Sequence, residues 1–136
     1  MEKNPTMLFV VAAALTNQAG EILLQKRPEG KQMAGLWEFP GGKVDAGESP
    51  ESALVRELKE ELGIEVSAFD LLPVTFASEP LGDRNLLLLL YRCCIWQGVP
   101  AALDSPELRW LLPPAMHELP MPPADRPLVV ALENRG

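Results

Sequence analysis

Glu57, Glu60 and Glu61 stand at positions i, i+3 and i+4 of a segment with helical periodicity. At about 100° of rotation per residue the three carboxylates share one face. Like charges spaced i, i+4 destabilise a helix by roughly 0.2–0.5 kcal/mol per pair, so the cluster needs solvent or a cation beside it. Hard oxygen ligands in this number suit Mg²⁺, which keeps several waters and bridges carboxylates to phosphate oxygens. Taken alone, E-x-x-E-E reads more readily as a solvated acidic face, because charged helix faces are common. Leu54, Val55, Leu58 and Leu62 form a neighbouring stripe that packs on a sheet and holds the acidic face outward.

The elements that must position these acids are written around them. Ser49 is a helix N-cap, Pro50 fits the first helical position, Glu51 lies in the first turn, and Gly63 ends the helix where a left-handed residue is needed. Upstream, the apolar run 7–15 behind Lys3 has the look of a secretory leader, with Ala12 and Ala14 in A-x-A spacing. Glu2 offsets Lys3, however, and a turn cluster at residues 17–20 precedes a second apolar stretch. The pattern reads as a β-hairpin of residues 8–15 and 21–25. A loop over residues 27–35, a short strand over 36–39 and the stop Pro40-Gly41-Gly42 follow. The apolar run 86–91, continued by Cys93, Cys94, Ile95 and Trp96, reads as a strand buried on both faces. It is expected to pair with residues 71–76 across a polar loop at 78–85. From Pro100 onward come eight of the fourteen prolines, so this third is expected to be mostly turns, closed by a short helix over residues 128–133. The sum is a single α/β (α+β) domain, residues 1–136, with a helix after the third strand.

Composition narrows the function. Twelve Lys+Arg against nineteen Asp+Glu give a net charge of −7, which repels polyanions and disfavours a nucleic acid polymer as partner. A small anion remains compatible if a cation screens the acids it meets. His117 is the single histidine, so a zinc site needing two imidazoles is excluded and a Ser-His-Asp site would have to use it; it is expected in a solvent-facing loop. Adjacent Cys93 and Cys94 suit neither a metal clip nor a disulfide framework and read as reduced thiols of a cytoplasmic protein. No run of 18 uncharged apolar residues exists, so no membrane-spanning helix is expected.

Reading outward from Glu57, the segment Gly42-(five residues)-Glu48-(seven residues)-Arg56-Glu57-Leu58-Lys59-Glu60-Glu61-Leu62-Gly63-Ile64 matches without a gap the signature of the Nudix hydrolases, which places the Nudix box at residues 42–64. The spacing has a physical sense: Gly41 and Gly42 let backbone approach a ligand closely, the loop 43–48 folds back over the helix start, and Arg56 braces carboxylates from the side. The resemblance implies a Nudix fold, a mixed β-sheet sandwiched between helices with a loop-helix-loop catalytic motif. It implies a hydrolase of nucleoside diphosphate linkages that uses Mg²⁺, with Mn²⁺ as a substitute. Glu57, Glu60 and Glu61 are then metal ligands joined by a backbone carbonyl of Gly41 or Gly42, and Glu48 and Arg56 fix the loop and orient the ligands. A glutamate among them serves as general base.

The flanks Arg27-Pro28, Met33 through Lys43, Trp110 and Leu119 through Leu128 resemble the MutT branch, over about residues 7–132. That branch implies hydrolysis of 8-oxo-dGTP, and possibly other dNTPs, to the monophosphate and pyrophosphate. This sanitises the nucleotide pool and keeps the lesion out of DNA at replication, a repair role without contact to DNA itself. By the same likeness Arg27 and Arg84 bind phosphates, Phe39 with Val10 and Ala12 lines a base slot, and Asp104 adds an acidic metal ligand with Glu107 as its competitor. The chain departs from the branch at Asp125, where an asparagine would face the base: asparagine donates and accepts, whereas an ionised aspartate only accepts. A CTP or oxidised-pyrimidine pyrophosphohydrolase, and a non-catalytic nucleotide sensor, are the alternatives. The expected state is a monomer or simple homodimer.

Overall fold

The computed structural model describes residues 6–134. Strand β1 (Thr6–Leu15) sets the architecture because its side chains alternate between two cores: Val11, Ala13 and Leu15 face one, Ala12 and Ala14 the other. Next come β2 (Ile22–Lys26), β3 (Trp37–Glu38), β4 (Gly41–Lys43), helix α1 (Pro50–Leu62), β5 (Leu72–Leu81), β6 (Arg84–Cys93), β7 (Leu108–Leu111) and helix α2 (Arg126–Asn134). One sheet has the order β4-β1-β6-β5, with β1 and β6 parallel and the other pairs antiparallel; the second is antiparallel, β3-β2-β7. Helix α1 closes the core of Val11, Ala13, Leu15 and Leu23 with Leu54, Leu58 and Leu62. Helix α2 closes the opposite core with Leu128, Val129 and Leu132. The expected arrangement of mixed β-structure between helices is present, with the strands divided between two sheets.

Several expectations need correction, among them the helix expected after the third strand, which follows the fourth, β4. The turn at residues 17–20 forms, with Asn17 Oδ1 accepting from Ala19 and Glu21, but β1 and β2 do not make a hairpin. After one bridge, Thr16 to Ile22, they part into different sheets, because β1 is taken by β4 and β6 and β2 by β3 and β7. The β5–β6 pairing is present, but the expected polar loop is strand on both sides of a turn at Gly82-Asp83, with Ser78 opposite Leu87 and Leu81 opposite Arg84. Strand β6 stops at Cys93, leaving Ile95 exposed. Within the proline-rich third, β7 lies hidden between Pro106 and Pro113. His117 lies in the last turn of a 3₁₀ helix and its Nε2 sits 2.5 Å from Glu133 Oε1 on α2, which ties it to an acid the local sequence did not offer.

The apolar run once comparable to a leader is β1 itself. Among the described residues no helix is long and apolar enough to cross a membrane. Cys93 and Cys94 are both free thiols, the first buried and the second exposed.

Candidate active site

Helix α1 begins and ends as its sequence dictates. Ser49 Oγ accepts the Ser52 amide at 3.1 Å, Pro50 occupies the first turn, and Gly63 adopts φ 73° while donating to the Lys59 carbonyl. Leu54, Leu58 and Leu62 are fully buried, each contributing roughly 1.5–3 kcal/mol by removal from water. The acids on this anchored helix are held in two ways.

The first way is charge pairing around Arg56. Its Nε and Nη2 donate to Glu48 at 2.8 and 2.9 Å, its Nη1 to Glu57 at 2.8 Å and more weakly to Glu60 at 3.5 Å, and its Nη2 also to the Lys43 carbonyl at 3.2 Å. Asp45 closes the ring of acids at 3.3 Å. Arg56 and the Asp45 amide hold the Glu48 carboxyl well below the usual range, at about 2. Glu57 shifts the other way: partial burial raises it, and the Arg56 guanidinium only opposes that rise. Gly42 explains why Glu57 sits where it does, because a Cβ there would lie 2.5–2.7 Å from the Glu57 carboxylate. Gly41 is as constrained, since its Cβ would fall 1.9 Å from the Val11 carbonyl oxygen.

The second way is burial. Glu61 is 6% exposed and does not point outward with its neighbours. It lies against β2 and β4, where Gln25 Nε2 donates to both its oxygens at 2.9 and 3.3 Å and the Gly41 amide donates to Oε1 at 3.1 Å. Burial pushes its carboxyl up to about 8 despite these donors. Glu60 has a side chain 59% exposed. The single acidic face expected from periodicity is therefore split: Glu57 and Glu61 line a cavity, and Glu60 is not among its lining residues.

That cavity, about 530 Å³, is walled by both sheets. Val10, Ala12 and Phe39 line it as expected of a base slot, together with Leu86 and Leu88. Asp125, 6% exposed, reaches the same wall, where its Oδ2 accepts the Phe39 amide at 3.4 Å. Burial, reinforced by Glu38, pushes its carboxyl up to about 7. Asp104 lines the cavity, whereas Glu107 is paired with Arg109 at 3.2 Å. Arg27 is in the wall, but its Nη1 is already paired with Glu38 at 2.9 Å and its Nε donates to the Gln32 carbonyl. Arg84 is not brought there; it opens β6 at the exposed end of the β5–β6 hairpin. Sequence reasoning missed Gln25 and Glu38. Gln25 follows Ile22-Leu23-Leu24 in a fully buried stretch, and a polar residue in such a run was the available signal.

The donor set suits a hard divalent cation. It offers carboxylate oxygens at Glu57, Glu61 and Asp104, backbone at Gly41 and Gly42, and a Glu57 seat that only glycine leaves open. Among the described residues no three acidic, imidazole or thiol groups already surround one point, since Arg56 draws Glu57 and Glu60 toward Glu48. Such a cation would bind with waters and substrate completing its shell, as is usual for Mg²⁺.

Residues 7–132 match the NUDIX domain family. A CTP pyrophosphohydrolase of Escherichia coli K12 is 40% identical over 124 residues, covering 91% of this chain and 90% of that protein. An 8-oxo-dGTP diphosphatase of Haemophilus influenzae is 38% identical over 128 residues, covering 94% and 93%. The solution structure of the E. coli ORF135 protein superposes with a TM-score of 0.85 at 38% identity, covering 96% of this chain and 91% of that one. The chain belongs to the Nudix family. Within it, the chain is a MutT-like hydrolase of phosphorus-containing anhydrides, of the kind that uses divalent metal ions and acts on small nucleotides.

Proposed function

We propose that this chain is a Mg²⁺-dependent nucleoside triphosphate pyrophosphohydrolase that hydrolyses 8-oxo-dGTP to the monophosphate and pyrophosphate, acting on the free nucleotide pool of the cytoplasm. The observation that carries the reading is that one cavity is lined both by the acids Glu57, Glu61 and Asp104 and by Phe39, Val10, Ala12 and Asp125. When bound, a divalent cation screens phosphate charge and makes a water acidic enough to attack near neutral pH. Glu57, Glu60 and Glu61, with Asp104 and the backbone at Gly41 or Gly42, would hold it. Arg56 and Glu48 orient Glu57 and the loop through the bonds given above, and a glutamate of this set accepts the proton of the attacking water. Arg27 reaches phosphate by sharing its guanidinium with Glu38.

Asp125 supports the choice of base. Near pH 7 its carboxyl is divided between a protonated form, a donor beside an acceptor, and an ionised form with acceptors alone. Oxidised guanine matches both: its N7–H and O6 face the protonated form, and its N1–H and amino group the ionised one. Cytosine matches only the protonated form, through N3 and its amino group. A cytidine nucleotide is the second reading, favoured by the 40% identity to the CTP pyrophosphohydrolase.

The test is kcat/KM for 8-oxo-dGTP, dGTP, CTP and dCTP with Mg²⁺, side by side. Preference for 8-oxo-dGTP by tenfold or more supports the first reading, and leadership of CTP or dCTP the second. No pyrophosphate from any of them would leave a nucleotide sensor.

A further inference from the structure

The Glu61 carboxylate is gripped by a residue of the opposite sheet that lies outside the segment 42–64. Gln25 is on β2, next to the register partners Glu38 on β3 and Leu108 on β7, and its side chain points to the same side as Leu23, toward α1. It is 5% exposed and spends its amide N–H₂ on both oxygens of Glu61. Its own Oε1 is fully buried and, among the described residues, has no hydrogen-bond partner. A buried amide oxygen left unmatched destabilises a fold unless something else at the site satisfies it. Gln25 is also among the residues that line the cavity, as are Glu57, Glu61 and Asp104.

We propose that Gln25 is a positioning residue for the divalent cation: its amide group fixes the rotation of the Glu61 carboxylate through the two hydrogen bonds it donates. Leucine or alanine at this position would fill the strand without doing so. Residues that orient metal ligands from behind typically change metal affinity by about tenfold to a hundredfold when removed. The inference rests on Glu61 being a metal ligand.

The experiment separates the two claims by measuring Mn²⁺ binding to the nucleotide-free protein, through the electron paramagnetic resonance of free Mn²⁺, for wild type, Gln25→Leu, Gln25→Asn and Glu61→Gln. The expected result is a Kd raised about tenfold to a hundredfold in Gln25→Leu. Gln25→Asn, whose amide is withdrawn by one methylene, is expected to lie between that variant and wild type; it carries the test if Gln25→Leu does not fold. In turnover, the Mn²⁺ concentration giving half-maximal rate rises while kcat recovers at saturating Mn²⁺, a split that a residue serving only to pack β2 would not produce. Loss of binding in Glu61→Gln with wild-type Kd and activation constant in both Gln25 variants would overturn the role of Gln25 alone. Wild-type Mn²⁺ affinity in Glu61→Gln would overturn the ligand assignment on which it rests.

Discussion

Two carboxylates one helical turn apart, Glu57 and Glu61, are held by opposite physics. Glu57 is gripped by a guanidinium that also binds Glu48, Asp45 and, weakly, Glu60, at a part-exposed rim where this charge opposes the rise that partial burial causes. Glu61 is gripped by neutral donors, the Gln25 amide and the Gly41 N–H, in a place dry enough to push it up to about 8. The difference teaches that the rim acids share one guanidinium charge, whereas the buried end has only neutral donors beside it. A cation arriving at Glu61 supplies the positive charge that burial withholds, while at Glu57 it competes with Arg56.

The largest effect should come from removing charge at either end. Glu61→Gln and Glu57→Gln are each expected to lower pyrophosphate release by about a thousandfold or more, since a lost metal ligand removes several kcal/mol of transition-state stabilisation. The melting temperature should stay within a few degrees, as measured by circular dichroism. Equal turnover in wild type and Glu61→Gln would break the comparison.

A smaller effect is expected from displacement without loss of charge. Gly42→Ala puts a methyl group 2.5–2.7 Å from the Glu57 carboxylate, and a shift of this kind lowers kcat by about a hundredfold. An unchanged kcat would mean that the seat of Glu57 is irrelevant to the reaction.

The base end of the cavity gives a pH test. The Asp125 carboxyl is raised in the folded state, from the ordinary aspartate range to about 7. The folded protein therefore holds a proton that the unfolded chain has lost, and Asp125 makes stability fall as pH rises from about 4 to 7, then level off. The difference in unfolding free energy between Asp125→Asn and wild type, followed by urea melts from pH 5 to 8, should grow in favour of the variant and flatten above 7. A flat difference throughout would contradict the burial argument. In turnover, KM for CTP should rise above pH 7 more steeply than KM for 8-oxo-dGTP, because only the cytosine edge requires the protonated form.

The smallest effects concern the scaffold shared by both ends. Leu58→Ala is expected to lower stability by about 2–5 kcal/mol, and Ser49→Ala by about 1 kcal/mol through the lost cap. Thermal melts check both. Activity at a temperature where each variant remains folded should follow the fraction folded.

How much of this was legible in the sequence varies with the range of the interaction that decides it. The bounds of α1 were readable because Ser49, Pro50 and Gly63 act on their own helix within a turn. The acids of the helix were readable as a cluster, yet periodicity gives a direction and not a depth. Nothing local distinguishes Glu60 at the rim from Glu61 beneath β2, since that depends on where β2 and β4 lie. The β1–β2 hairpin failed for the same reason: residues 17–20 do turn the chain, but strand partners are chosen by β4, β6 and β7, which lie far away in sequence. Strand β7 was masked by prolines that bound it without entering it. Asp125 was visible as a departure from a pattern, but its burial beside Phe39 joins positions 86 residues apart.

The most direct measurement is a crystal structure with Mn²⁺ and a non-hydrolysable 8-oxo-dGTP analogue, with the metal located by its anomalous scattering. The expected result is Mn²⁺ bound by Glu57 and Glu61 against the phosphates, and the base between Phe39 and Asp125. A metal and nucleotide lodged elsewhere, with both carboxylates still turned to Arg56 and Gln25, would contradict it.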